Sequence, residues 1–331
     1  MSSVHLIAPD RHAGLARDLE LVAQTLAEAG FSITVSTIGQ GSVARHVRHL
    51  QLRARLALQR WRAGPANDRF DVNLMMERLL VSFLPLARRN ALIPNPEWFQ
   101  PAWESQLGML DRVLVKTHHA VPIFAAKACR TEFIGFTSAD HQRNDVEREP
   151  TFFHLAGRSG NKGTQALIDL WLRKPSWPAL TIVRRAKLHR TPIAAPNLQL
   201  VTEYLDDEQL RVLQNRHLFH LCPSETEGFG HYLVEGMSVG AIVLTTHAPP
   251  MDEMVTADRG ILVPYARTGS QGLATTYFVD AAALEYAIDS MLALDARERA
   301  RLSERARAWY EDNDRAFRQR LVATVSDLVR S

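Results

Sequence analysis

The alternation of strand and helix patterns constrains the fold of this chain more than any other feature of the sequence. Residues 4–8 are a continuous apolar run, as expected of a strand buried on both faces. Apolar residues then recur at helical spacing over residues 15–29, and Gly30 follows as a helix C-cap. Residues 31–35 alternate and are rich in strand-forming side chains. This βαβ unit predicts a parallel sheet and therefore an α/β fold.

The same alternation continues along the chain and restarts after a polar segment at residues 138–150, where we expect the linker between two domains. With 331 residues and roughly 150 residues per domain, two domains are expected. Strands are predicted at 72–75, 91–93, 112–115 and 133–136, and in the second half at 152–156, 181–183, 198–201, 218–222, 242–244 and 260–263, the last closing the series. We predict an N-terminal domain over residues 1–145, a C-terminal domain over 146–308 and a C-terminal helix over 309–331.

Composition excludes several classes of protein. The chain has 39 Lys and Arg against 36 Asp and Glu, a net charge of +3 that does not by itself indicate a nucleic-acid partner. No apolar stretch reaches the roughly 18 residues of a membrane-spanning helix, and the N-terminus does not read as a signal peptide. Two cysteines are too few for a disulfide framework. We therefore expect a cytoplasmic protein.

The segment at residues 223–237 is the strongest candidate for chemistry, because it joins a strand to a helix through glycines. Gly228 and Gly230 allow close approach of the backbone to a ligand, and the N–H groups of the following helix suit a pyrophosphate. Glu227 lies in the loop, and Glu235 lies one to two turns into the helix. The spacing alone favours a plainer interpretation, a capped helix with two solvated glutamates.

A second glycine-rich turn, GRSGNKG at residues 157–163, also joins a strand to a helix. Arg158 and Lys162 are two cations in one turn, which suits a diphosphate because Arg binds phosphate bidentately and Lys acts as a point charge. A solvated turn is the alternative interpretation.

Residues 223–246, PSETEGFGHYLVEGMSVGAIVLTT, resemble the E-x7-E signature of retaining nucleotide-sugar glycosyltransferases of the GT-B fold, glycosyltransferase family 4 (group 1). The departures from the family pattern are Gly236 in place of Ala and Ala241-Ile242 in place of a small residue and Pro. Residues 252–264 resemble a further stretch of the family and support the fold rather than the chemistry.

The resemblance implies an α/β GT-B fold of two Rossmann-like doubly wound domains that face across a cleft. The N-terminal domain would bind the acceptor and the C-terminal domain a nucleotide-diphosphate sugar, and the C-terminal helix would cross back to the N-terminal domain. The sequence contains neither an Asp-x-Asp motif after a strand nor a His/Cys metal spacing, and the acidic residues 206–208 are expected to cap a helix that starts near Glu208. We therefore expect a metal-independent enzyme that has a donor substrate but no cofactor.

The resemblance also implies roles for individual residues. Glu227 would contact the donor sugar hydroxyls and Glu235 the ribose, while Arg158 and Lys162 would neutralise the leaving diphosphate. Other expected donor-side residues, several acting through backbone N–H groups, are Ser224, Gly228, Phe229, Gly230, His231, Tyr232 and, from a loop after the first strand, Gly14.

The residues that would contact the acceptor are less clearly indicated by the sequence. Polar and aromatic side chains follow three predicted strands of the first domain, and we expect acceptor contacts from Glu77, Asn95, Glu97, Trp98, His118 and His119. For residues 94–98 a rigid turn with a core-packed Trp98 is an equally good interpretation. The acceptor would be a saccharide or a lipid-linked glycan.

Residues 43–62 contain six arginines and no acidic residue, with apolar side chains on one helical stripe. Such a helix can rest on an anionic membrane or contact phosphates, and a solvated face is the plainer alternative. Peripheral contact with the inner face of a membrane is therefore one expectation.

Two alternative functions are a glycosyltransferase that acts on a nucleic-acid base or a protein, and a non-catalytic partner protein that keeps the fold. The presence of Arg158, Lys162, Glu227 and Glu235 argues against a non-catalytic protein.

Overall fold

The computed structural model describes residues 1–9, 13–38, 69–157, 159–184 and 195–331. The described residues form two compact units. The first unit comprises Met1–Phe136 and Ala316–Ser331, and the second comprises Thr137–Arg315.

The first unit contains a parallel sheet of six described strands in the order β2-β1-β3-β4-β5-β6. These strands are β1 (Ser3–Pro9), β2 (Ser32–Ile38), β3 (Phe70–Met76), β4 (Ala87–Ile93), β5 (Arg112–Val115) and β6 (Thr131–Phe133). The helices described in this unit are α1 (Ala13–Glu28), α2 (Ala120–Ala125) and the 3-10 helices Val81–Leu86, Pro96–Trp98 and Pro101–Met109. The predicted βαβ opening is confirmed, since β1 and β2 pair in parallel around α1.

The second unit contains a second parallel sheet of six described strands, in the order β12-β11-β10-β7-β8-β9. These are β7 (Glu149–Gly157), β8 (Leu180–Arg184), β9 (Leu198–Val201), β10 (His217–Cys222), β11 (Ile242–Thr246) and β12 (Gly260–Val263), with the separate hairpin β13 (Tyr265–Gln271) and β14 (Ala274–Val279). Its helices are α3 (Thr164–Arg173), α4 (Asp207–Arg216), α5 (His231–Ser238), α6 (Met251–Met254) and α7 (Ala281–Ala293). The long helix α8 (Ala296–Arg330) contributes residues to both units.

Buried aromatic side chains fill the space between the second sheet and its helices. The Phe152 ring lies 5.1 Å from the ring of Trp171 on α3 and 5.1 Å from that of Phe219 on the neighbouring strand. All three side chains are fully buried. The apolar runs that predict the strands therefore form the core that holds β7 and β10 side by side.

The C-terminal end of α8 is fixed to the first sheet by both apolar and charged contacts. Phe317 contacts Phe136, with ring centroids 4.8 Å apart. The buried Arg112 side chain pairs with Glu132 at 2.8 Å and with Asp327 of the helix. Each partner carboxylate compensates part of the cost of burying the guanidinium.

The segment just after Phe136 is bound to the second unit, so the division between the units falls earlier than the sequence predicts. The main-chain N–H of His141 donates to Ser238 Oγ at 3.2 Å, and that of Arg143 donates to Asn215 Oδ1 at 2.9 Å. Most side chains of residues 138–150 are exposed or half-buried, but these two main-chain N–H groups bind buried side chains of the second unit.

Two strand predictions differ from the structure. The predicted strand at 133–136 is found at Thr131–Phe133, because Gly135 adopts a left-handed conformation (φ +69°) that turns the chain. The series of strands does not close at β12, since the β13–β14 hairpin follows it. The β-branched and aromatic run at residues 275–279, after the turn residue Gly272, is the sequence signal that could have revealed this hairpin.

Gly236 of α5 replaces the Ala of the family pattern because the space beside it is already occupied. A Cβ at this position would lie 2.9 Å from His220 Nδ1 and 3.0 Å from Val243 Cγ2. Both neighbours belong to central strands that cannot move without disturbing the core.

We expect Gly236→Ala to lower the free energy of unfolding by about 1–2 kcal/mol, because overpacking outweighs the gain in helix propensity. Urea unfolding at neutral pH measures this change. The cost should fall sharply in a His220→Ala background, where the nearest obstructing ring is gone. Equal costs in the two backgrounds would show that the contact with His220 is not the cause.

Buried histidines make the stability of the second unit depend on pH. Burial lowers the pKa of His154 to about 4 and that of His220 to about 3, from an ordinary value of 6.5. Below pH 6.5 the unfolded chain therefore takes up protons that the folded chain does not bind. The free energy of unfolding must then decrease as the pH falls from about 6.5 towards 4.

We expect His220→Gln to remove about 1.4 kcal/mol per pH unit from this slope. Chemical unfolding at a series of pH values between 6 and 4.5 measures the slope. His247→Gln is the matched control, since His247 is exposed, and it should keep the wild-type slope. An unchanged slope in the His220 variant would show that His220 does not contribute to the pH dependence of stability.

Candidate active site

The order of strands in the second sheet creates a switch point at its centre. β7 and β10 are adjacent, and the chain continues from β7 towards β8 on one side and from β10 towards β11 on the other. Ligands of open α/β sheets bind at the carboxyl ends of the strands at such a point. The loops after β7 and β10 carry the two motifs found in the sequence.

These two loops touch through their backbones. The N–H of Glu225 donates to the carbonyl of Asn161 at 2.8 Å. Gly163 has a left-handed φ of +63°, and a Cβ on it would overlap the carbonyl oxygen of Pro223. Glycine is therefore required at position 163, and the contact brings the charged residues of the two loops together.

Lys162 and Glu227 meet at this contact and form an ion pair between Nζ and Oε1. Only 15% of the Lys162 side chain and 12% of the Glu227 side chain are exposed. The ammonium also lies 3.6 Å from the centroid of the Tyr232 ring. The lysine predicted to bind a diphosphate and the glutamate predicted to contact the donor sugar are thus direct neighbours.

Ser224 joins Glu227 to Tyr232. Its hydroxyl donates to Glu227 Oε1 and also contacts the Tyr232 hydroxyl. A serine hydroxyl has one hydrogen, so Tyr232 donates to Ser224. Burial raises the pKa of the Tyr232 hydroxyl well above its usual range, and the Glu227 carboxylate adds to this effect, so the phenol remains a donor.

The loop after β10 ends at Gly230, the N-cap residue of α5. Gly230 has a φ of +101°, and a Cβ there would lie 2.7 Å from Leu233 Cδ1. Phe229 is buried beside it, with 5% of its surface exposed. The first N–H groups of a helix have no partner within the helix and carry partial positive charge. The helix begins four residues after Glu227 in the chain, at the position where the sequence predicts phosphate contacts.

Glu235 occupies a different environment from Glu227. It is 1% exposed, and its Oε2 accepts from Gln214 Nε2 at 2.9 Å. The Gln214 amide oxygen lies 2.6 Å from His141 Nδ1, so this ring nitrogen carries the hydrogen. The interpretation of two solvated glutamates, which the spacing alone favoured, is therefore wrong, because both carboxylates are enclosed by partners.

His231, the first residue of α5, is oriented by the segment after Phe136. Its Nδ1 lies 2.8 Å from Ser138 Oγ, and the Ser138 carbonyl accepts from the Tyr310 hydroxyl at 2.9 Å. Sequence reasoning missed Ser138, His141 and Gln214, because each lies far along the chain from the residue it orients. Only the tertiary fold brings them together.

A cavity of about 370 Å³ lies at the carboxyl ends of β7, β8 and β9. Leu155 and Val183 form apolar walls, and Tyr204 stands at its edge. The Tyr204 side chain is 87% exposed. An apolar wall with an exposed aromatic ring is suited to a flat ring of a ligand.

The predicted acceptor-side residues follow three neighbouring strands of the first sheet, β3, β4 and β5. Glu77 has a left-handed φ of 63°, and its N–H donates to the Ile93 carbonyl at 2.8 Å. A non-glycine residue in this conformation is uncommon and often marks a functional site. Because these strands are parallel, the residues lie at one edge of the sheet.

The other acceptor-side candidates differ in exposure. Trp98 is 53% exposed, so the alternative that it packs in the core is wrong. Glu97 is buried at 8% exposure, and Asn95 is half-buried. His118 is exposed and stacks on Phe133 with ring centroids 3.7 Å apart, and His119 is half-buried.

Two sequence predictions fall outside the described residues, and a third, on Gly14, differs from the structure. Arg158 is not described, and neither is the arginine-rich run at residues 43–62. Gly14 lies in the first turn of α1 rather than in the loop before it. Within the described ranges, no group of three His, Cys, Asp or Glu side chains could hold a metal ion. None of the helices described here combines the length and the apolar character needed to cross a bilayer.

Comparison with solved structures identifies the fold. The chain resembles a glycosyltransferase from Rickettsia africae with a TM-score of 0.74 at 13% identity, covering 100% of this chain and 99% of that one. It resembles HepE from Anabaena, solved with UDP and glucose, with a TM-score of 0.71 at 14% identity over 99% and 100% of the two chains. The fold is GT-B, with the two parallel-sheet domains that the resemblance implied.

Sequence comparison finds similarity to known proteins in part of the chain. Residues 194–309 match the family of glycosyl transferases group 1. A segment of 125 residues is 32% identical to a GDP-mannose:cellobiosyl-diphosphopolyprenol alpha-mannosyltransferase from Xanthomonas oryzae, and covers 34% of this chain. The match spans 33% of the length of that relative. Both sequence matches are confined to part of the chain, whereas the likeness of fold extends over nearly all of it.

The ion pair between Lys162 and Glu227 should be strongly coupled, because removing either partner leaves the other charge enclosed. In a double-mutant cycle of Lys162→Met and Glu227→Gln, we expect a coupling of about 1–3 kcal/mol in the free energy of unfolding. The more exposed pair Lys174–Glu285 of the same unit, 33% exposed on each side, should give less than about 1 kcal/mol. Equal coupling in both pairs would contradict the enclosed environment.

Proposed function

We propose that the protein transfers a sugar from a nucleotide-diphosphate donor to a hydroxyl of an acceptor and that the donor binds at the switch point of the second unit. One observation carries this proposal. Lys162, Glu227, Ser224 and Tyr232 form a linked polar cluster at the carboxyl ends of β7 and β10. Polar groups that converge at the carboxyl ends of two central strands, at a switch point, are typical of a ligand site in an open α/β sheet.

The donor would extend along the carboxyl edge of the second sheet. Its diphosphate would lie against Lys162, Arg158 and the first N–H groups of α5, because a helix N-terminus and two cations suit an anion. Its base would occupy the cavity beside Tyr204. Glu227 would accept hydrogen bonds from the sugar hydroxyls. A ribose contact of Glu235 stays a prediction, since Gln214 already binds its carboxylate.

We propose retention at the anomeric carbon through a front-face reaction. The bond from the anomeric carbon to the diphosphate oxygen breaks, and the acceptor oxygen bonds to that carbon on the same face. The acceptor proton passes to the leaving diphosphate. Lys162 and Arg158 would stabilise the negative charge that develops there, so the proposed reaction needs no metal ion.

For the acceptor we propose a saccharide or a lipid-linked glycan. The support is the name of the Xanthomonas relative, which acts on a cellobiosyl-diphosphopolyprenol. The residues after β3, β4 and β5 are the candidates for acceptor contacts. Contact of residues 43–62 with an anionic membrane is a further proposal, and salt-sensitive binding of the full chain to anionic vesicles tests it. Salt-dependent binding to DNA instead would favour an anionic polymer as acceptor.

A thermal-shift screen against UDP-, GDP- and dTDP-sugars tests the donor class, because a ligand that binds the folded state raises the melting temperature. With the donor identified, Glu227→Ala and Lys162→Ala should each abolish transfer while the circular dichroism spectrum stays that of the wild type. Lys174→Ala, which removes an ion pair on the surface of the same unit, is the control and should keep full activity. Full activity in either site variant would contradict the assignment.

A further inference from the structure

We propose that Tyr232 is a positioning residue whose ring holds the Lys162 ammonium ready for a diphosphate group. This inference rests on the proposed function and adds a residue whose side chain acts through the lysine. The ring centroid lies 3.6 Å from Lys162 Nζ, within the range of strong cation–π contacts.

The aromatic face solves a problem that the ion pair creates. Glu227 neutralises Lys162, so a second carboxylate beside the ammonium would leave net negative charge where an anion must bind. An aromatic ring attracts a cation through its quadrupole and carries no net charge. It therefore holds the ammonium without repelling a phosphate. An ammonium has three N–H groups. Glu227 accepts a hydrogen bond from one of them and the ring faces the cation from another side, so a further N–H group can donate to a phosphate.

The ring is itself held rigidly. Tyr232 is 5% exposed, and its hydroxyl donates to Ser224 Oγ. Ser224 is fully buried, and its carbonyl accepts from Thr246 Oγ1 on β11 at 2.6 Å. The position of the ring is therefore set by the central sheet, and the long flexible lysine takes its position from the ring.

Two variants separate the ring from its hydroxyl. Tyr232→Phe keeps the aromatic face and loses the donor to Ser224, whereas Tyr232→Leu loses both. Phe153→Leu, a shortening of a buried aromatic on β7 outside the cluster, is the control for lost stability. With UDP and GDP as probes in isothermal titration calorimetry, we expect Tyr232→Leu to bind about tenfold more weakly. Phe153→Leu should bind like the wild type, and Tyr232→Phe, which keeps the ring but loses its anchor to Ser224, should weaken binding much less than Tyr232→Leu.

A second measurement needs no nucleotide. Acetylation of lysines by an N-hydroxysuccinimide ester, followed at the Lys162 peptide by mass spectrometry, reports how well that amine is covered. Lys174 serves as the internal reference. We expect severalfold faster labelling of Lys162 in Tyr232→Leu and a rate much closer to that of the wild type in Tyr232→Phe.

The two measurements distinguish the ways in which the ideas can fail. If Tyr232→Leu keeps both the wild-type affinity and the wild-type labelling, or if Tyr232→Phe fails as badly as Tyr232→Leu, the role of the ring is overturned. If the wild-type protein binds neither nucleotide and none of the nucleotide sugars of the thermal-shift screen, the proposed function is contradicted and labelling alone decides. The positioning role of the Tyr232 ring is then supported if Lys162 is acetylated faster in Tyr232→Leu than in the wild type, and it is overturned if the two rates are equal.

Discussion

The backbone contact between the loops after β7 and β10 is the constraint on which the candidate site depends. Gly163 lies against the carbonyl of Pro223 with no room for a Cβ, so the loops approach as closely as two backbones can. Lys162 directly precedes this glycine, and Glu227 follows Pro223 by one short turn of chain. Any side chain at position 163 would push the loops apart and separate the lysine from the glutamate.

The charges brought together there are balanced in a way that favours an anionic ligand. An enclosed lysine and glutamate each carry a desolvation cost, and their attraction offsets part of it. A diphosphate must compete with Glu227 for the ammonium, whereas the Tyr232 ring attracts the ammonium without entering that competition. The cluster therefore keeps a cation in place without a ligand and still allows its charge to be shared with one.

The local parts of this site could be predicted, because they depend on neighbouring residues. Apolar runs followed by glycine-rich turns identified both loops, and acidic residues near 206 predicted the start of α4, where Asp206 and Gln209 form a reciprocal cap. The partners of Glu235 could not be predicted in this way. His141 and Gln214 are 73 residues apart in the chain, and only packing of α4 against the segment after Phe136 makes them neighbours. The polarity of that segment suggested a free linker because polarity alone does not reveal a hydrogen-bond partner.

The burial of both motif glutamates is the strongest physical argument that this edge of the sheet binds a ligand. A buried ion pair adds little net stability compared with apolar side chains of similar volume, so the Lys162–Glu227 pair is poorly explained as a stabilising feature. The hydrogen bond from the Gln214 amide compensates part of the cost of burying Glu235. This bond fixes the position of a carboxylate, and it does not add to the stability of the core. The two carboxylates have different partners, a cation beside Glu227 and an amide beside Glu235, so the proposed contacts with them would come from chemically different parts of one extended molecule. A nucleotide sugar, with its diphosphate and its two sets of sugar hydroxyls, has the charges and donors that this arrangement would complement.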